Sequence, residues 1–171
     1  MFLITYFCLV SLNYGERPVT WNYRPDIFMA SRDYLIRQIE EMGLFLSILF
    51  RRLLKMKEEK QQDQMGAVVR EALMQEMKLD IDQVVVLENE DFLSVVREHF
   101  TSENQLDQLA DILKELGQDI NQTFSPTKEA YLRKSLLLFS WLQESTTNFS
   151  YERKVKIEQI LECLRICGLL E

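Results

Sequence analysis

The sequence predicts an all-α domain of about six helices packed as antiparallel hairpins, and three observations predict it. From Leu35 to Met56 an apolar seam (Leu35, Ile39, Met42, Leu46, Leu49, Leu53, Met56) advances in alternating steps of four and three, which keeps every member on one helical face. Chain breakers are scarce, with 5 Gly and 3 Pro in 171 residues, as suits long helices with short connections. Serines stand where helices are expected to start, at Ser31, Ser102, Ser125 and Ser150, and a serine hydroxyl can accept from the orphan amides of a first turn.

Helix one is predicted over Ser31 to Lys60, with Ser31 as N-cap and Asp33 at the positive end of the dipole. Its exposed seam would not be stable in water, so other helices must cover it. The middle, Leu44 to Phe50, is apolar nearly all round except at Ser47, which predicts contact on more than one side. Gly43 and Ser47 lie one turn apart and predict a closely approaching neighbour. Helix two covers Gln62 to Lys78, with Met65, Val68, Val69, Ala72 and Leu73 inward.

Residues 80–91 read as a connection with one helical turn around Val84 to Leu87, followed by a helix from Glu90 to Phe100. Ser102 and Gln105 form a capping box before an inner face of Leu106, Leu109, Ala110, Leu113, Leu116 and Ile120. Ser125-Pro126 starts a helix that reaches Glu144 and buries Leu132, Leu136, Phe139 and Leu142, with Trp141 on its flank. The last helix runs from Ser150 to Gly168 with Ile157, Ile160, Leu161 and Leu164 as its stripe. Short connections make consecutive helices antiparallel neighbours.

Residues 1–28 differ from the rest. Met1 to Leu12 is apolar, lacks the basic start and cleavage site of a secretory signal, and is too short to span a bilayer. Gly15, Pro18 and Pro25 then mark irregular chain. The segment reads as an extension upstream of a natural start at Met29, with a weak signal or anchor, or an arm docking on the core, as alternatives. Residues 29–171 read as a single all-α domain.

The segment Leu106 to Leu142 resembles a degenerate tetratricopeptide hairpin. Leu113, Leu116, Gly117 and Ile120 resemble that repeat's first helix, where a small residue permits close crossing, and Leu132, Ser135 and Leu136 resemble its second. It departs from the repeat in a turn about one residue short and in Lys128 at a position that prefers Ala. Asp33 to Leu164 as a whole resembles a bacterial family of helical proteins known only as a domain of unknown function. DYLIRQIEEMG (Asp33 to Gly43) leading into ILFRRLL, LDID (Leu79 to Asp82), and LADILKELG with the following YLRKSLLLF carry that resemblance. It implies a tetratricopeptide-like α-α superhelix or bundle, and no activity or site residues.

Charge and cysteine usage narrow the partners. A net charge of −7 would repel a phosphate backbone, so no nucleic-acid partner is expected. Arg51 and Arg52, directly after the apolar run, argue for a buried helix over a membrane span, so no membrane partner is expected either. Cys8, Cys163 and Cys167 lack framework spacing and point to a reducing, cytoplasmic location, with Cys163 and Cys167 as buried, inert thiols. There, the tripeptides at Asn121 and Asn148 that match the glycosylation pattern carry no meaning.

The chemistry of catalysis or metal binding is not written in the chain. His99 is the single histidine and has no companion at ligand spacing. Asp80-Ile81-Asp82-Gln83 opens like a calcium loop, but Val84 and Val85 stand where an oxygen ligand and a glycine are needed. Glu88, Glu90 and Asp91 read as the solvated acids of a helix start. Phosphate-binding loops and nucleophile elbows are absent. The expectation is therefore no catalytic residues, no cofactor and no metal.

Residues 51–60 hold five cations against two acids, and residues 71–91 hold seven acids against one lysine. Arg51, Arg52, Lys55 and Lys57 are the candidate partner-binding ridge. The expected function is an interaction or scaffold protein whose groove, between helix one and the Leu106–Leu142 hairpin, takes a peptide or partner helix. The alternatives are a homo-oligomer mated through the seam, and an enzyme in which His99, Tyr131 or an acid converge.

Overall fold

In a computed structural model the described residues are 25–118, 125–146 and 150–169, with side chains from Asp33 onward. The chain divides after Asp33 into two bodies. Of the first, only residues 25–33 are described, as helical backbone. The second, Tyr34–Glu171, carries the hydrophobic core.

Seven helices and no strand occur among the described residues, so the protein is all-α. They are α1 (Pro25–Glu58), α2 (Gln62–Met77), α3 (Ile81–Val85), α4 (Asn89–His99), α5 (Glu103–Gly117), α6 (Pro126–Ser145) and α7 (Tyr151–Ile166). Three starts are capped as the serines dictate. Ser102 and Gln105 close both halves of the capping box, and Ser125 and Ser150 accept from Lys128 N and Arg153 N. Ser31, by contrast, lies inside α1. Pro25, whose fixed φ suits a first helical position, opens that helix six residues earlier. The calcium-like Asp80 is the cap of α3 and accepts from Gln83 N, which is why a five-residue helix forms in the expected connection.

α2 ends with Lys78 in the left-handed region, φ 56°, and Leu79 N donates to Leu73 O. This is a Schellman-type close made without glycine. At the end of α7, Gly168 takes φ 70° as expected for the residue after the cap.

α5 and α6 are the most closely packed pair. A Cβ on Gly117 would fall 2.5 Å from Leu132 Cγ, and Ser135 Oγ donates to Ala110 O at 2.7 Å. The end of α5 thus meets the start of α6, and the two run antiparallel. α7 lies along both. Arg153 grips Asp107 with two bonds of 2.8 and 2.7 Å, Lys156 reaches Asp111 at 2.7 Å, and Lys114 reaches Gln159 at 2.9 Å. Partners rise together along both helices, so α5 and α7 run parallel. α1 also runs parallel to α5. Gln105 Nε2 donates to Ile39 O, Gln108 Nε2 to Ser47 Oγ, and Lys57 Nζ to Glu115 Oε2.

The core joins Leu46, Leu49, Leu53 and Met56 of α1 to Met65, Val69, Leu73 and Met77 of α2 and to the inner faces of the later helices. Leu106, Leu109, Ala110, Leu113 and Leu116 are all buried, as are Leu132, Phe139, Leu142, Ile160 and Leu164. Leu136, Ile157 and Leu161 are half-buried, and Ile120 lies outside the described residues.

Three expectations about α1 are corrected. Leu35 and Ile39 are 54% and 41% exposed, although Leu46 and Leu53 further along the seam are fully buried. Leu44 and Ile48 are exposed too, so one face of the apolar middle stays open, although Phe45, Ser47 and Phe50 on its flanks are half-buried. Gly43 meets nothing within 4 Å. α5 starts opposite Ile39, so the seam before that point runs past its first turn, while Leu44 and Ile48 lie on the face of α1 turned away from the seam.

Candidate functional site

The seam leaves the core at Met42, and there α1 forms one wall of a cleft of about 240 Å³. Leu35, Ile39 and half-buried Met42 supply its apolar side. His99, Thr101 and Gln105, at the corner between α4 and α5, face them. Gln105 is held there by four bonds. Its amide oxygen accepts from Thr101 N and Ser102 N, its own N–H donates to Ser102 Oγ, and its Nε2 donates to Ile39 O at 2.9 Å. A capping residue thereby also fixes the width of the cleft. His99 uses Nδ1 on Val95 O at 2.9 Å, leaving Nε2 as the ring's remaining polar atom. The cleft offers apolar anchors beside a polar rim, as a groove for an amphipathic segment requires.

The four members of the candidate basic ridge separate. Arg51, Arg52 and Lys55 are exposed and share the outward face of α1, with Lys55 3.7 Å from Glu59. Lys57 points the other way and pairs with buried Glu115 at 2.5 Å, with Gln118 as a second partner. Two residues after Lys55 a helix has turned by about 200°, so these cations could not form one stripe.

A second, polar cleft of about 410 Å³ opens between α2, α3, the end of α5 and the start of α6. Within it the Tyr131 hydroxyl donates to Asp82 Oδ1, while Arg70 Nη1 stands 2.8 Å from Asp82 Oδ2. Burial, helped by the Asp82 contact, pushes the Tyr131 phenol far above its ordinary value. It therefore keeps its proton at neutral pH, and the carboxylate is already matched by a guanidinium. The group ties three helices together and presents no base. His99 and Tyr131 line different clefts and are not brought together. Glu88, Glu90 and Asp91 stand exposed at the start of α4.

Cys163 is half-buried, and burial with the neighbouring Cys167 pushes its thiol up. Cys167 is exposed, because it follows the last turn of α7, which corrects the expectation of two buried thiols. Cys8, Asn121 and Asn148 lie outside the described residues. No cluster of three metal-ligating side chains occurs among the described residues.

Two polar contacts outside these clefts carry little signal in the sequence. Lys134 is buried, donates to Leu87 O at 2.6 Å and Asn89 Oδ1 at 2.8 Å, and lies 5.2 Å from the Phe92 ring. Burial pushes its ammonium down. One signal was present, since Lys134 falls three residues after Tyr131 and four before Leu138 on the inward face of α6. Arg97 stacks 5.1 Å above Trp141, the flank residue.

No helix among the described residues is long and apolar enough to cross a membrane. No family model, no curated protein and no solved structure matches the chain.

Proposed function

We propose that the chain is a helical interaction module that holds an extended peptide or a partner helix in the cleft between α1 and the α4–α5 corner. One observation carries this reading. A single seam changes from fully buried at Leu46 and Leu53 to half-exposed at Leu35 and Ile39 without changing its chemistry. Apolar side chains in a helical row, left open beside fixed polar groups, fit a segment that brings its own apolar positions at i, i+3 or i+4. The antiparallel α5–α6 pair, with α7 parallel to α5, supports a tetratricopeptide-like arrangement of these helices. The reading takes a cytoplasmic protein, on the strength of three cysteines without framework spacing.

A display library of amphipathic peptides against the whole chain tests it. Binders should emerge that carry two or three apolar anchors at helical spacing. Leu35→Asp with Ile39→Asp should weaken them about tenfold or more while the melting temperature holds, because both side chains are already exposed. Binders that ignore the double variant, or a library with none above scrambled controls, would overturn the proposal.

A further inference from the structure

The outward face of α1, opposite the seam, carries a pattern that neither the core nor the cleft uses. At 100° per residue, Leu44 and Ile48 sit side by side at its centre. They are 62% and 56% exposed. Glu40 and Glu41 precede them, Arg51 and Arg52 follow, and all four are exposed. The pattern reverses about residue 46. Leu44 and Ile48 lie two residues to either side, Glu41 and Arg51 five, Glu40 and Arg52 six. In these two charged pairs acid on one side mirrors base on the other.

We infer that this face is a self-association surface, on which a second copy of the chain packs its own α1 antiparallel about a two-fold axis at residue 46. In that register Leu44 meets Ile48 of the second copy and Glu41 meets its Arg51, and each contact occurs twice because the interface is isologous. A face whose charges mirror with opposite sign is complementary to itself only when inverted, so a parallel pairing is rejected by Glu41 on Glu41 and Arg51 on Arg51. Arg37 and Lys55 would face each other at the ends. The two helices therefore cross at an angle and touch only over the central three turns, with Arg37 kept on its own Glu41 at 2.9 Å and Lys55 on Glu59. So short a contact makes a weak dimer, since stable ones bury about 800 Å² on each partner. The peptide cleft lies on another face of α1, so neither surface needs the other.

Charge reversal tests it with residues that do not support the fold. Sedimentation equilibrium of the whole chain should show a concentration-dependent dimer. Glu41→Arg alone and Arg51→Glu alone should each weaken dimerisation about tenfold or more, because like charges then meet twice. The double variant with both changes should recover to within about threefold. The two single variants, mixed, should form a heterodimer although neither self-associates. Leu35→Asp with Ile39→Asp should leave dimerisation unchanged, which separates this surface from the peptide cleft. A wild-type chain that stays monomeric up to about 1 mM, single variants that dimerise like wild type, or a double variant that stays monomeric would each overturn it.

Discussion

Gly117 and Gly43 show how one residue type serves opposite ends. At Gly117 the backbone of α5 lies so near α6 that a methyl group would sit 2.5 Å from Leu132 Cγ and 3.0 Å from the Lys128 carbonyl. Gly117→Ala should cost about 1–3 kcal/mol, read as a lower denaturant midpoint at unchanged slope. Gly43 lies in a helix with open space around it, and there a glycine only adds backbone freedom to the unfolded chain. Gly43→Ala should therefore stabilise by about 0.5–1 kcal/mol. The close crossing at Gly117 was legible in its hairpin spacing. Lys134 was legible only in its place on the inward face of α6, because sequence reasoning sends lysines to solvent, and the facing Leu87 carbonyl, Asn89 and the Phe92 ring explain its burial.

Within α1, periodicity and coverage part company. The four-three spacing states which side chains share a face, and all seven seam residues do. It is silent on where the neighbours begin, and α5 begins only opposite Ile39. Leu53→Ala should cost about 2–5 kcal/mol, since Leu53 is fully buried. Leu35→Ala, from the same seam, should change stability by less than about 0.5 kcal/mol. Equal losses at both sites would mean that the first half of the seam is covered. Caps set the starts of α5, α6 and α7 by local chemistry, so those boundaries were readable from Ser102, Ser125 and Ser150. The groove was expected between helix one and the Leu106–Leu142 hairpin, but the second wall of the cleft is His99, Thr101 and Gln105, which precede that hairpin. The cleft's shape depends on Gln105 reaching Ile39 O across 66 positions of sequence, and no local pattern encodes that bond.

Polar ties between distant helices complete the fold. Asp82 joins Arg70 of α2 and Tyr131 of α6, and it gives stability a pH signature. The Tyr131 proton is held more tightly in the fold than in the unfolded chain, where a tyrosine ionises near pH 10. Its contribution is therefore fully present below about pH 10 and lost as pH rises through the folded value. Melting curves should drop steeply above about pH 10, and Tyr131→Phe should drop less steeply from a baseline about 0.5–1.5 kcal/mol lower. Identical alkaline limbs would place the ionising group elsewhere. The partners of α1 on α5 lie 58, 61 and 66 residues downstream. At synthesis rates of about 5–20 residues per second, α1 leaves the ribosome roughly 3–13 s before the helix that shelters it. During that wait Leu46, Leu49 and Leu53 have only α2 to cover them, so the part of their surface that α5 will later shelter stays open to water.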